Sequence, residues 1–318
     1  MPDRPKLLQV GRVLDTMSPR LSAGFEVVKL PDGDPAPFLA ENGEDIAAVA
    51  TMKGLQDEVL AALPNLKVVS SFGVGYDSID ADACAERGII VANTPGVLND
   101  EVADTAMMLW LAVSRRLVPS DRWARSGDWE AKGAFPLTRS VRGRKLGIVG
   151  FGRIGQTIAK LADAFDAEIS YHARSKKDVP FSYYPQLVEM ARDSDVLIVI
   201  TPGGAETRHL ISAEVMDALG PEGILINVSR GSVVDEAALV AALEDGRLGG
   251  AGLDVFEEEP KIPDALKSME NVVLLPHVGS ATVETRTAMG DLVCKNLERW
   301  LADGTVVTPV PECRALNG

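Results

Sequence analysis

The chain has 318 residues, 46% hydrophobic and 25% charged, with 32 Lys and Arg against 46 Asp and Glu for a formal net charge of −14. Chains above about 250 residues usually split their core, so two domains are expected, and this composition excludes a disordered or fibrous chain. The acidic excess argues against nucleic acid and anionic membrane as partners, because both call for a basic face.

Taken in chain order, apolar runs predict strands at 6–10, 47–50 and 66–70. Met52 and Lys53 follow the second run and are candidates to face a crevice. SSFGVGYDSID follows the third, and its turn at 73–76 can offer backbone N–H groups to an anion. An apolar helical pattern fills 99–113, with Asp100, Glu101 and Asp104 near its start, and the stretch 123–135 carries Trp123, Trp129 and Phe135. A strand at 145–149 runs into a glycine-rich turn and a helical pattern at 155–164. Strands at 168–171, 196–200, 224–228, 250–254 and 272–275 follow, with a helical pattern at 236–245. A helical pattern at 288–301 and a strand-like, proline-bearing end at 305–311 finish the chain. Strand-helix alternation over the whole length predicts an α/β protein with parallel sheets covered by helices. No internal repeat interrupts it.

The segment KLGIVGFGRIGQTIAKLADAF places Gly150, Gly152 and Gly155 between a strand and a helical pattern, the context that a dinucleotide fingerprint requires. The glycines permit a tight turn and close approach of a pyrophosphate, and the helix N-terminus supplies N–H groups and a favourable dipole. Arg153 and Ile154 lie in that turn. An NAD site places an acid about 20 residues on, against the ribose 2′-hydroxyl. Here the sequence reads AEISYHARSKKD, and the aligned position is Ala173, 18 residues past Gly155. Arg174, Ser175, Lys176 and Lys177 follow it, a cluster that attracts a 2′-phosphate where a carboxylate repels one. NADP(H) is therefore the expected cofactor, with NAD(H) the weaker alternative. The bland readings are a ligand-free glycine turn and a solvated basic turn.

Three later segments carry polar residues at strand ends: Arg230 in INVSRGSVVDEAAL, Asp254 and Glu259 in AGLDVFEEEP, and His277 in VVLLPHVGSAT. Ligands of doubly wound folds bind beyond the carboxyl ends of the strands, so these segments can converge on one crevice. A 2-oxo acid reduction needs a hydride source, a proton donor and a cation for the carboxylate. Histidine ordinarily changes charge near neutral pH, and the planar fork of arginine suits a carboxylate. Of the three histidines, His172, His209 and His277, the last sits on a Pro- and Gly-flanked strand-end turn. His209 follows TPGGAETR and is expected at a loop or helix start, and His172 near an adenosine end. Glu259 has a plain alternative as one of three solvated acids.

GFGRIG, NVSRG, GLDVFEEEP and PHVGSAT, in this order and spacing, resemble the D-2-hydroxyacid dehydrogenase family, and SSFGVGYDSID and NTPGVLNDEVADTAMMLWLA match its substrate loop and interdomain helix. YHARSKK most resembles the NADPH-using glyoxylate/hydroxypyruvate reductase branch, including hydroxyphenylpyruvate reductases. The resemblance implies two Rossmann-like doubly wound domains, with a dinucleotide-binding domain at 99–286 inserted into a smaller flavodoxin-like substrate domain formed by 1–98 and 287–318. It implies Arg230, Glu259 and His277 as catalytic residues, Glu259 being chosen over Glu257 and Glu258 because it precedes Pro260. It implies Val74 and Gly75 as substrate contacts along with Arg230 and His277. Cofactor contacts are implied at Gly150, Gly152, Arg153, Ile154, Gly155, Arg174, Ser175, Lys176, Thr201, Pro202 and Val228. Thr105, Ser229, Asp254 and Gly279 resemble nicotinamide-side contacts. The product would be the D-2-hydroxy acid.

The resemblance also implies a homodimer formed through the region after the 99–113 helix, and domain closure about crossings near 98 and 286. Cys84, Cys294 and Cys313 are odd in number and far apart, so neither a disulfide framework nor a metal site is expected, and a reducing, cytoplasmic location is. MPDRPKLLQV lacks the apolar core of a secretory leader, and no apolar run approaches the ~18 residues of a membrane span. A formate dehydrogenase relative would carry glutamine at position 259, and a phosphoglycerate relative often adds a regulatory domain. A corepressor on the same fold would need a partner-binding tail or groove.

Overall fold

The computed structural model describes residues 4–318. Its contacts divide the chain into two compact units, one running up to Leu98 and resuming with Thr282–Gly318, the other Asn99–Ala281.

The first unit holds five strands: β1 (Lys6–Val10), β2 (Glu26–Lys29), β3 (Ile46–Thr51), β4 (Val68–Ser71) and β5 (Ile90–Ala92). They form one sheet in the order β2-β1-β3-β4-β5, and every pairing is parallel. This is the flavodoxin-like order. β4 is buried at every position and β3 at all but one, the signature of central strands covered on both faces. The long helix Val283–Asp303 returns to this sheet, with Ser70 Oγ donating to the carbonyl of Val293 at 3.3 Å. Beyond it the tail forms a single antiparallel bridge, Pro309 to Ala92, with Val310 N–H donating to the carbonyl of Val91 at 2.9 Å. The strand expected at 305–311 is thus reduced to one bridge, after which a 3₁₀ helix, Pro311–Leu316, begins. A proline has no N–H with which to extend a ladder.

The second unit holds β6 (Lys145–Val149), β7 (Glu168–His172), β8 (Ser182–Tyr183), β9 (Val196–Val199), β10 (Ile224–Asn227), β11 (Gly250–Leu253) and β12 (Val272–Leu274). Their order is β12-β11-β10-β9-β6-β7-β8, again all parallel. That is the doubly wound dinucleotide-binding order with one added edge strand, and its switch point lies between β6 and β9. The helix Asn99–Ser114 buries Val102, Ala103, Ala106, Leu109, Trp110 and Val113, a three-and-four spacing that makes one apolar face. It rests on β11, where glycine is required. A Cβ on Gly252 would lie 3.0 Å from Leu109 Cβ and 2.8 Å from Ile226 Cδ1, and one on Gly250 would lie 2.7 Å from the carbonyl oxygen of Asn271.

Three strands went unanticipated in the sequence: β2, β5 and β8. All three are sheet edges. β2 has no fully buried residue, β5 is three residues long and β8 two. β2 and β8 bury too little side chain to imprint an apolar run, whereas β5 is fully buried and its run, Ile89–Ala92, is merely short.

Candidate active site

The turn after β6 is built by glycine. Gly150 has φ 97°, and a Cβ there would lie 2.8 Å from the backbone of Ile200 and Thr201 after β9. Gly155 lets the helix Arg153–Asp163 sit on the turn, since a Cβ would come within 2.3 Å of the carbonyl of Gly150. Gly152 differs: a Cβ there would meet nothing within 4 Å, so no protein atom demands the glycine. It caps the helix without a side-chain hydrogen bond, and no acid stands in the first turn. An uncapped helix N-terminus, an open approach and Arg153 beside it fit a bound pyrophosphate.

β7 leads to the loop that begins at Ala173. Tyr171 and Tyr183 hold the loop that follows. The hydroxyl of Tyr171 accepts from Lys177 N–H at 2.7 Å, and that of Tyr183 donates to the carbonyl of Ala173 at 3.2 Å. Phe151 stacks on Tyr171 at 4.4 Å, which couples the glycine turn to this loop. Arg174, Ser175 and Lys176 are exposed, and neither cation enters an ion pair among the described residues. His172 is fixed by its Nδ1 on the carbonyl of Tyr184 at 2.9 Å.

After β10 the chain turns through Val228, Ser229 and Arg230. Buried Asn227 shapes this turn: its Oδ1 accepts from Ser229 N–H at 3.1 Å and Ser229 Oγ at 2.7 Å, while its Nδ2 donates to the carbonyl of Arg230 at 3.0 Å. Arg230 Nη1 donates to the carbonyl of Ser229 at 2.8 Å. Gly231 packs so tightly on the Phe256–Glu257 peptide that a Cβ would lie 1.9 Å from the Phe256 carbonyl carbon. The Arg230 turn and the loop that bears Glu259 are therefore pressed together.

Asp254, at the end of β11, is 2% exposed and anchors the turn after β12. Its backbone carbonyl accepts from His277 N–H at 2.9 Å, and its carboxylate oxygens accept from Val278 and Gly279 N–H at 2.7 and 2.8 Å. Burial pushes this carboxyl above its ordinary value, and the two N–H bonds offset part of that rise. Thr105 Oγ1 donates to the carbonyl of Gly279 at 3.3 Å. So braced, His277 holds a left-handed φ of 53°, a conformation uncommon outside glycine and found where surrounding contacts impose it. Its Nδ1 lies 2.7 Å from Glu259 Oε2. Glu259 Oε1 accepts from Phe256 N–H at 3.1 Å. Burial pushes the Glu259 carboxyl up. The hydrogen bond and charge of His277, the Phe256 N–H and the nearby Arg230 guanidinium outweigh it and hold the carboxyl below its ordinary value.

The three adjacent glutamates have three different partners. Glu259 meets His277, Glu258 meets Lys261 at 3.1 Å, and Glu257 meets His209 Nε2 at 2.5 Å. His209, also at positive φ (52°), follows the 3₁₀ turn Ala205–Thr207. The His209–Glu257 pair escaped sequence reading, because nothing local in TPGGAETRH signals a partner 48 residues away. In the first unit, Val74 and Gly75 are half-buried in the turn after β4. Tyr76 at its end donates to Glu312, and burial together with that carboxylate pushes the phenol up to about 12, so it stays protonated. Among the described residues, no group of His, Cys, Asp and Glu is arranged to hold a metal ion, and no helix is long and apolar enough to cross a membrane.

Two parallel doubly wound units, a glycine turn after β6 and a polar constellation at the ends of β10, β11 and β12 define a nicotinamide-dependent dehydrogenase architecture. Residues 107–279 match the family described as D-isomer specific 2-hydroxyacid dehydrogenase, NAD binding domain. The chain belongs to the D-isomer specific 2-hydroxyacid dehydrogenase family. It is 52% identical to a hydroxyphenylpyruvate reductase of Plectranthus scutellarioides over 276 residues, 86% of this chain and 88% of that one. It is 53% identical to a glyoxylate/hydroxypyruvate reductase A of Arabidopsis thaliana over 258 residues, 81% and 82% of the two chains. A crystal structure of an NADPH-dependent glyoxylate/hydroxypyruvate reductase from Sinorhizobium meliloti, in complex with NADP and malonate, superposes with a TM-score of 0.94 at 49% identity and covers 98% of each chain.

Proposed function

We propose that this protein reduces a small 2-oxo acid of the glyoxylate or hydroxypyruvate type to the D-2-hydroxy acid, with NADPH as preferred reductant and His277 as proton donor. The observation that carries the reading is the 2.7 Å pairing of His277 Nδ1 with Glu259, on a turn locked by Asp254, with the Arg230 guanidinium close by. The glycine turn from Gly150 to Gly155 would hold the cofactor, which when bound would supply the hydride. In the imidazolium form, His277 donates from Nδ1 to Glu259 and keeps its Nε2 proton for the oxygen on C2. Glu259 stabilises that imidazolium and fixes the ring. Arg230 would bind the carboxylate and carbonyl oxygens of the substrate, and in the first unit the N–H groups of Val74 and Gly75 are read as carboxylate contacts. Asp254, Thr105 and Gly279 hold the His277 turn in place, and with Ser229 would hold the nicotinamide end of the cofactor.

The NADPH preference rests on Ala173, where an NAD site wants an acid, and on the unpaired cations at 174 and 176. One or two charge-assisted hydrogen bonds of about 1.5–3 kcal/mol each give roughly a ten- to ten-thousand-fold preference. In this reading 99–286 binds the dinucleotide, and 1–98 with 287–318 binds the substrate. Exposed Leu117, Val118, Trp129 and Leu137 support a homodimer built on that stretch. Three buried free thiols support a reducing, cytoplasmic setting.

The test is a panel of 2-oxo acids followed by loss of nicotinamide absorbance with NADPH and NADH at equal, subsaturating concentration. Turnover of glyoxylate or hydroxypyruvate with NADPH in excess of NADH is expected. Faster oxidation of NADH would remove the cofactor preference, and no turnover with any 2-oxo acid would remove the reaction. Light scattering should give about twice the 33.9 kDa chain mass; a monomer would remove the dimer.

A further inference from the structure

A trans peptide points its C=O and its N–H in opposite directions. That geometry gives meaning to the way the turn after β4 is tied down. The carbonyl of Gly73 accepts from Thr94 N–H at 2.8 Å, and the carbonyl of Val74 accepts from Asn93 Nδ2 at 2.8 Å. The first carbonyl shares its peptide plane with Val74 N–H, the second with Gly75 N–H. Holding both carbonyls against the end of β5 therefore turns both N–H groups away from it. Among the described residues, neither N–H is donated within the chain.

Asn93 is itself held by the C-terminal tail. Its carbonyl accepts the hydroxyl proton of Thr308 at 2.7 Å, and its N–H donates to the carbonyl of Thr308 at 3.3 Å. The Thr308 hydroxyl accepts in turn from Asn296 Nδ2 at 3.0 Å. Asn296, fully buried in the helix Val283–Asp303, closes the chain of contacts: its Oδ1 accepts from Val307 and Thr308 N–H at 2.9 and 3.0 Å. Buried amides held by several hydrogen bonds favour one geometry, and losing one link leaves a buried polar group unpaired. Tyr76, bonded to Glu312, ties the far end of the turn to the same tail.

We propose that Asn93, backed by Thr308 and Asn296, is a positioning residue that aims the N–H groups of Val74 and Gly75 at the substrate carboxylate, so that the C-terminal tail sets affinity for the 2-oxo acid. The proposal rests on the reading above that these N–H groups take that carboxylate. Three full-length variants test it: Asn93→Ala, Thr308→Val, which keeps shape and loses the hydroxyl, and Thr308→Ser, which keeps the hydroxyl. Asn93→Ala is expected to raise KM for glyoxylate about tenfold, as loss of one aligned hydrogen bond implies. Thr308→Val is expected to raise it less, Thr308→Ser to stay within about twofold of the parent, and KM for NADPH to stay unchanged in all three. A purely structural role would lower the melting temperature without separating the two KM values. If Asn93→Ala does not fold, the Val and Ser variants at 308 decide.

Folded Asn93→Ala and Thr308→Val enzymes with the parent KM for glyoxylate would overturn the proposal, as would a parallel rise in KM for NADPH. Hydrogen exchange over 73–76 in the parent protein, with NADP+ and with or without malonate, separates this failure from that of the underlying reading. If exchange there does not slow on adding malonate, the carboxylate reading fails and the proposal with it. If exchange slows while the variants keep their KM, only the positioning role fails.

Discussion

His277 owes its orientation to atoms outside its own side chain. Its backbone is anchored by the Asp254 carbonyl, the next two N–H groups by the Asp254 carboxylate, and its ring by Glu259. His277→Gln keeps a hydrogen-bonding side chain but cannot deliver a proton in the same way. It is expected to lower kcat by about 10²–10⁴ while leaving NADPH binding, read by fluorescence titration, unchanged; near-parent kcat would take His277 out of the mechanism. Ala173→Asp places a carboxylate where the 2′-phosphate is proposed to lie. The ratio of kcat/KM for NADPH over NADH should fall at least about tenfold, and an unchanged ratio would mean that another residue sets the choice. The histidine, the arginine and the missing acid at 173 stood out in the sequence as candidates, because each sits at a strand end next to a turn residue. The pairing within EEEP was not legible from the residues alone: three glutamates in a row look alike until packing gives each a different partner.

At the level of elements, glycine placement decides how close neighbours come. Gly252 in β11 lies under Leu109 of the helix Asn99–Ser114 and beside Ile226 of β10. Gly252→Val forces these apart, and overpacking of this kind costs about 1–3 kcal/mol. A lower melting temperature is the expected result, and an unchanged one would mean that the helix shifts freely. The central strands β3, β4, β6, β9, β10 and β11 were readable as apolar runs because both faces are covered. The edges β2 and β8 were not, since a short and half-exposed strand carries no such run, whereas β5 lies in the short buried apolar run Ile89–Ala92 and was overlooked. The tail reads as a strand by its valines, yet its prolines leave only one bridge.

For the whole molecule, the acidic excess bears on pH. Asp128, Glu222, Glu259, Asp264 and Asp303 are held below their ordinary values. Hydrogen bonds to Lys132, Arg139, Lys267 and Thr305 are the chief causes for four of them, and the contacts that outweigh burial for Glu259. A carboxyl whose folded value is depressed stabilises the fold above its unfolded value, and that contribution is lost as pH falls through the folded one. Glu236 and Asp254, raised by burial, act with the opposite sign: the folded state takes up their protons earlier. Five depressed groups against two raised ones set the direction. The melting temperature should fall as pH drops from about 5 to about 3, across the ordinary carboxylate range. A melting temperature that holds or rises over that interval would mean that half-buried Glu236 and buried Asp254 dominate.

The sequence by itself determined what depends on neighbours along the chain. Strand-helix alternation, the glycine turn after β6, the absence of an acid at 173 and the turn residues around His277 are all set within a few positions of each other. Tertiary structure alone decided that His209 pairs with Glu257 and how the carbonyls of Gly73 and Val74 are tied through Asn93 to Thr308, while the choice of Glu259 for His277 came from the resemblance and not from the three adjacent glutamates themselves. Those contacts join residues tens to hundreds of positions apart. They exist only once parallel strands have set which loop ends lie side by side, and no local pattern encodes that register.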